Sequence, residues 1–171
     1  SHLYLYSADG TLKTRLTEGP WGVRQVHGID EEAGVVYFSA NARETAEDPY
    51  YQHLYSVNLD GDNLKLLDPG DFDHRVEMGE SRRFFVDNYS RVNTTPSAAL
   101  IGADGTKVLD LEAADFSQLE AAGYQFPEPY SIKAADRVTD LYGVMYKPFN
   151  FDPSKKYPII EFVYPGPQTE S

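Results

Sequence analysis

The residues in this chain able to carry chemistry are one serine in a glycine-led turn, four histidines, several short acidic runs and a tyrosine at the end of an apolar stretch. A serine nucleophile needs a sharp turn of the Gly-x-Ser-x-Gly type, with a histidine and an acid placed beside it by the fold. Gly79-Glu80-Ser81-Arg82-Arg83 lacks the second glycine and falls between two strand-like segments. It reads as a polar turn, so Ser81 is not a nucleophile. His2, His27, His53 and His74 have no second histidine or carboxylate at helical metal-ligand spacing. His2 and His53 occupy the same place in two similar segments, which points to a structural role. Asp60-Gly61-Asp62 and Asp71-Phe72-Asp73 resemble fragments of calcium loops but lack the later glutamate, and are read as solvated turns. No metal and no cofactor is expected. Asp30-Glu31-Glu32 is another turn, whereas Glu44, Glu47 and Asp48 lie in a long loop with room to touch a ligand or a second subunit.

The apolar stretch is Ile159-Ile160-Glu161-Phe162-Val163-Tyr164, with Pro158 before it and Pro165-Gly166-Pro167 after it. It is too short for a typical helix, which predicts a buried strand forced to turn, with the Tyr164 phenol held at the mouth of a sheet.

The elements leading to that strand are organised by a repeat. Asp9-Gly10, Asp60-Gly61 and Asp104-Gly105, 51 and then 44 residues apart, each separate two strand-like runs, a strong hairpin signal. Four strands are predicted over 21–29, 35–39, 53–59 and 64–67. Four more are predicted over 75–78, 83–89, 98–102 and 107–111, and residues 2–17 supply two. Four antiparallel strands at a period of ~40–50 residues are the pattern of a β-propeller blade, so residues 1–113 read as about two and a half blades. Residues 114–124 predict a short helix capped by Asp115 and stopped by Gly123, with Phe116, Leu119 and Ala122 on one face. Pro127 and Pro129 mark a hinge, two strands surround Asp136, and residues 114–171 form a second region. The chain reads as a piece of a larger protein.

The 171 residues include no cysteine, which excludes disulfides and thiolate chemistry, and the formal net charge of −12 opposes a nucleic-acid partner. At 41% hydrophobic, with thirteen tyrosines and nine phenylalanines, the composition favours a β-rich core. It does not fix a compartment.

Several segments together resemble the dipeptidyl peptidase IV branch of the prolyl oligopeptidase family. They are Gly19-Pro20-Trp21-Gly22-Val23, Gly34-Val35-Val36-Tyr37-Phe38, His53-Leu54-Tyr55, Tyr89-Ser90-Arg91-Val92 and, most specifically, Asn150 to Pro158 running into Val163-Tyr164-Pro165-Gly166-Pro167. That resemblance implies a propeller joined to an α/β-hydrolase domain, enclosing a serine protease site that releases N-terminal dipeptides with Pro or Ala second. This chain would then hold the last blades and the opening strands of the hydrolase, and Tyr164 would lend its hydroxyl to the oxyanion hole. The catalytic Ser, Asp and His would lie beyond Ser171 and the amino-group glutamates before Ser1, so the fragment alone is expected to be inactive. The resemblance also implies peptide substrates and a secreted or periplasmic homo-oligomer for the full-length protein. The alternative is a non-catalytic propeller that binds peptides or proteins. It would lack the Gly-x-Ser-x-Gly that a peptidase needs after this segment.

Overall fold

Alternation of apolar and polar residues, punctuated by Asp-Gly turns, gives the first 116 residues their form: hydrogen-bonded antiparallel sheets. The computed structural model describes residues 1–163, and the chain divides into two compact units, Ser1–Phe116 and Ser117–Ser171. In the first unit, β1 (Tyr4–Tyr6) pairs with β2 (Leu12–Arg15) as a two-stranded sheet. β3 (Gly22–Asp30), β4 (Val35–Asn41), β5 (Gln52–Asn58) and β6 (Lys65–Leu66) follow as a four-stranded sheet in chain order. β7 (Asp73–Met78), β8 (Phe84–Ser90), β9 (Ser97–Gly102) and β10 (Lys107–Ala113) form the next. Every strand in this unit joins the partners its position in the repeat predicts.

The three Asp-Gly turns are built alike. Asp9, Asp60 and Asp104 each accept the backbone N–H two residues on, at 3.0, 2.9 and 2.9 Å. Gly10, Gly61 and Gly105 take φ of +84°, +91° and +85°, while the aspartates themselves keep negative φ. The side chain closes the turn and the glycine supplies the left-handed residue. A Cβ on Gly61 would stand 3.1 Å from the Arg15 carbonyl oxygen, and one on Gly105 would stand 3.1 Å from that of Leu67. The second and third turns thus rest, backbone on backbone, against the repeat before them, whereas Gly10 has nothing within 4 Å.

The middle sheet is buried on both faces, and the two-residue period of its strands sorts the side chains between them. Val36, Phe38, Ala40, Tyr55 and Val57 pack with Leu16 of the preceding hairpin, joined by Leu3, Leu5 and Trp21. Tyr37 and Leu54 point the other way, to Leu67 and to Val76 and Phe85 of the following sheet. Phe38, Leu54, Tyr55 and Phe85 are completely inaccessible, and burying each side chain is worth about 1.5–3 kcal/mol.

The second unit matches expectation in its hairpin and departs from it in its helix and in the run from Ile159. Its helix, α1 (Ser117–Ala121), begins two residues after Asp115 and buries none of its residues. Leu119 is exposed, because one turn of helix presents too little apolar surface to form a stripe. Gly123 does stop it, at φ +94°, with the Tyr124 N–H bonded to the Leu119 carbonyl at 2.9 Å. β11 (Glu128–Lys133) and β12 (Asp140–Met145) pair as an antiparallel hairpin around Asp136, which accepts the Val138 and Thr139 N–H groups at 2.9 Å each. The buried strand predicted to begin at Ile159 is not present across residues 159–163, which pair with nothing; Ile159 and Ile160 are 92% and 94% exposed. An apolar run becomes a buried strand only against neighbouring strands, and among the described residues none lies alongside it. Those residues show the β11–β12 hairpin and no parallel sheet of a hydrolase.

Candidate functional site

The concentration of ionisable groups lies between the two four-stranded sheets. His53 projects from β5, Asp68 from the connection after β6, His74 from β7 and Asp87 from β8. Each is at most 5% exposed. His53 and His74 face one another with ring centroids 4.9 Å apart, and the Asp68 carboxylate reaches both, 3.3 Å from His53 Nδ1 and 3.5 Å from His74 Nδ1. Asp87 Oδ2 accepts from His74 Nδ1 at 2.8 Å, and Glu47, from the loop before β5, accepts from His53 Nε2 at 2.8 Å. Asp68 also has a local duty: its Oδ2 accepts the Leu54 N–H at 2.8 Å.

The electrostatics follow from burial and proximity. Burial works against charge on His53, yet the Asp68 and Glu47 carboxylates outweigh it and lift its pKa to about 9. Burial likewise opposes charge on His74, and the Asp87 hydrogen bond and the Asp68 charge raise it nonetheless. Burial pushes Asp68 up, against the pull of the two imidazoles. Two carboxylate oxygens, Asp68 Oδ1 and Asp87 Oδ1, are buried with no hydrogen-bond partner. So enclosed a group of side chains cannot meet a peptide; what it can hold is protons or a small cation.

A second network fixes the loop before β5. The Tyr55 hydroxyl donates to Glu44 Oε1 at 2.9 Å, Arg43 Nη1 pairs with that same oxygen at 2.9 Å, and the Arg43 guanidinium lies 5.2 Å from the Tyr55 ring centre. With Glu47 on His53, the loop is clamped onto its own sheet at two points.

The other residues singled out in the sequence are dispersed. Ser81 sits in the β7–β8 turn, where the Arg82 N–H bonds to the Gly79 carbonyl at 2.9 Å. Asp71 pairs with Arg91 at 2.6 Å and Asp73 accepts the Gln52 N–H at 3.1 Å, so this pair ties chain segments together beyond closing a turn. His2 contacts Thr17 Oγ1 at 3.2 Å and the Gly19 carbonyl at 3.0 Å. Tyr164, with Pro165-Gly166-Pro167, lies outside the described residues. The convergence of His53, Asp68, His74 and Asp87 was missed because its members come from separate strands. One signal was available: His2 and Thr17 have the same spacing as His53 and Asp68, with aspartate where the earlier copy has threonine.

Successive antiparallel four-stranded sheets, stacked face against face and punctuated by one repeated turn, define a propeller-type β protein. A family model described as the dipeptidyl peptidase IV N-terminal region matches residues 1–96, and the chain belongs to the dipeptidyl peptidase IV family. It is 30% identical over 168 residues to dipeptidyl peptidase 8 of Homo sapiens, covering 91% of this chain and 18% of that protein. Dipeptidyl-aminopeptidase B of Aspergillus niger is 31% identical over 177 residues, covering 98% of this chain and 19% of its own length. A crystal structure from Bacteroides ovatus, assigned as a dipeptidyl aminopeptidase IV, superposes with a TM-score of 0.66 at 28% identity, covering 92% of this chain and 23% of that one. The chain thus spans less than a quarter of each of these relatives.

Proposed function

We propose that this chain is a segment of a serine-type dipeptidyl peptidase that removes N-terminal dipeptides with Pro or Ala in second place. The observation that carries the reading is the likeness to dipeptidyl-aminopeptidase B over 98% of the chain, which extends past the repeat-bearing unit into the second one. In this reading residues 1–113 are the closing blades of the propeller and residues 114–171 open the catalytic domain. The peptide substrate meets Tyr164 there, and the remaining propeller and hydrolase segments supply the triad and the amino-group site. The full-length protein works as a homo-oligomer.

Acyl transfer places negative charge on the carbonyl oxygen of the scissile bond. A phenol fixed in advance at that position stabilises the charge by roughly 3–4 kcal/mol. The test is hydrolysis of Gly-Pro and Ala-Pro chromogenic amides by the full-length protein and its Tyr164→Phe variant. A fall of about 10²–10³ in kcat with little change in KM fits an oxyanion donor. An unaltered kcat removes Tyr164 from the mechanism, and absence of dipeptide release by the wild type removes the peptidase reading. Residues 1–171 alone are expected to release nothing.

A further inference from the structure

The repeat provides an internal control for the buried cluster. In the first copy the Leu3 N–H donates to Thr17 Oγ1 at 2.9 Å; in the second the Leu54 N–H donates to Asp68 Oδ2 at 2.8 Å. His2 packs edge-on against Trp21 at 5.1 Å, whereas His53 packs against His74 at 4.9 Å. A neutral hydroxyl and an indole therefore suffice for the structural task at this position. The second copy replaces them with a carboxylate and an imidazole, and brings Asp87 alongside.

We propose that His53, Asp68, His74 and Asp87 form a closed binding site for one divalent transition-metal ion of the zinc type. The ligand-bearing atoms of His53, Asp68 and His74 lie within 4.8 Å of one another. Asp68 Oδ1 stands 3.3 Å from His53 Nδ1 and Asp68 Oδ2 stands 3.5 Å from His74 Nδ1, so the carboxylate offers each imidazole an oxygen at close to the ~3.3 Å edge of a tetrahedron with bonds of about 2.0–2.1 Å. Asp87 Oδ2, 2.8 Å from His74 Nδ1, completes the set after a shift of a few tenths of an ångström (~0.5 Å at most on that geometry). The outer ring nitrogens are turned to other acceptors, His53 Nε2 to Glu47 at 2.8 Å and His74 Nε2 to the Gly70 carbonyl at 3.4 Å. This is the arrangement that leaves Nδ1 facing an ion and orients the ring. Three carboxylates, Glu47, Asp68 and Asp87, meet here, and burying them demands positive charge. Protons on the imidazoles supply charge, but no hydrogen bond forms to Asp68 Oδ1, 3.3 Å from His53 Nδ1, or to Asp87 Oδ1; a central cation draws charge from both carboxylates at once. Mixed imidazole and carboxylate ligands in a closed site suit zinc, and its role here is to tie two neighbouring sheets together.

The inference stands on the fold and not on the peptidase reading, so either can fail alone. The full-length protein, stripped with a chelator and dialysed, is titrated with Zn²⁺ by calorimetry and with Co²⁺ by visible absorption. One equivalent of tightly bound ion, the intense bands of tetrahedral Co²⁺ and a raised Tm are expected. Asp68→Thr copies Thr17 and keeps an acceptor for the Leu54 N–H, and it weakens binding by more than the roughly 10–100-fold that loss of an outer hydrogen bond costs. His2→Gln leaves binding unchanged. Where Asp68→Thr fails to fold, His74→Gln serves in its place. No stoichiometric binding by the folded wild type, undiminished binding in the folded variant, or an octahedral Co²⁺ spectrum overturns the proposal and leaves a proton-bridged network.

Discussion

Replacing Tyr55 by Phe isolates the clamp on the loop before β5. The ring is fully buried and stacks with Phe38 at 5.7 Å and with Trp21 at 6.3 Å, so Phe preserves the packing and removes one oxygen. That oxygen donates to Glu44 at 2.9 Å. A hydrogen bond to a charged group is worth about 1.5–3 kcal/mol. Glu44 keeps its Arg43 partner and its side chain is 27% exposed, so water and the guanidinium recover part of the loss. The expected cost is about 1.5 kcal/mol, which raises local opening of the loop roughly tenfold. Hydrogen exchange of the loop amides in the intact protein measures this, the Tyr51 N–H bonded to Asp48 being a direct reporter. A double-mutant cycle with Glu44→Gln should return about 1 kcal/mol of coupling. Unchanged exchange, together with effects additive within about 0.3 kcal/mol, would refute the argument that this hydroxyl holds the loop.

Two further outcomes follow from turns and charge. Gly105→Ala must accept a positive φ and a Cβ 3.1 Å from the Leu67 carbonyl oxygen, whereas Gly10→Ala has the same φ and nothing within 4 Å. Urea unfolding should show a loss of about 2–4 kcal/mol for the first and about 1 kcal/mol for the second; equal losses would mean that the close approach carries no energy. Asp48 has its pKa raised, first by burial and then by the Asp71 and Asp73 charges. A carboxyl raised on folding contributes stability below its unfolded pKa and loses it as pH rises through the folded value. Asp48→Asn should therefore stabilise the fold at neutral pH, by less than about 1 kcal/mol because the group is half exposed, and raise Tm accordingly. Thermal melts should show that advantage shrinking through the acid range, and a constant shift at every pH would contradict the assignment.

The strand order of the first unit was readable because each turn announces itself chemically. An aspartate able to bond two residues ahead, next to a glycine free to take positive φ, leaves little choice about where the chain reverses. Which strands share a sheet then follows from counting. The buried cluster was not readable in that way. His53 and Asp68 are fifteen residues apart and His74 and Asp87 thirteen, and only the stacking of one sheet on the next brings the pairs together. The run at Ile159 failed for the opposite reason: its residues are those of a buried strand, but composition describes what a segment would bury, not whether partners stand beside it. Helix α1 shows the same limit at smaller scale, with a good stop signal and too few turns to make a face.

Because Gly61 and Gly105 meet main-chain atoms of the layer beneath, the step from one layer to the next is gauged by the polypeptide itself. Substitutions within the strands can alter what fills the gap but have little leverage on its width. Such a spacer lets sequences drift far while the stacking angle holds, in keeping with a superposition that survives at 28% identity. It also leaves the material between layers free to diversify, so that one interval encloses an indole and the next a nest of charge.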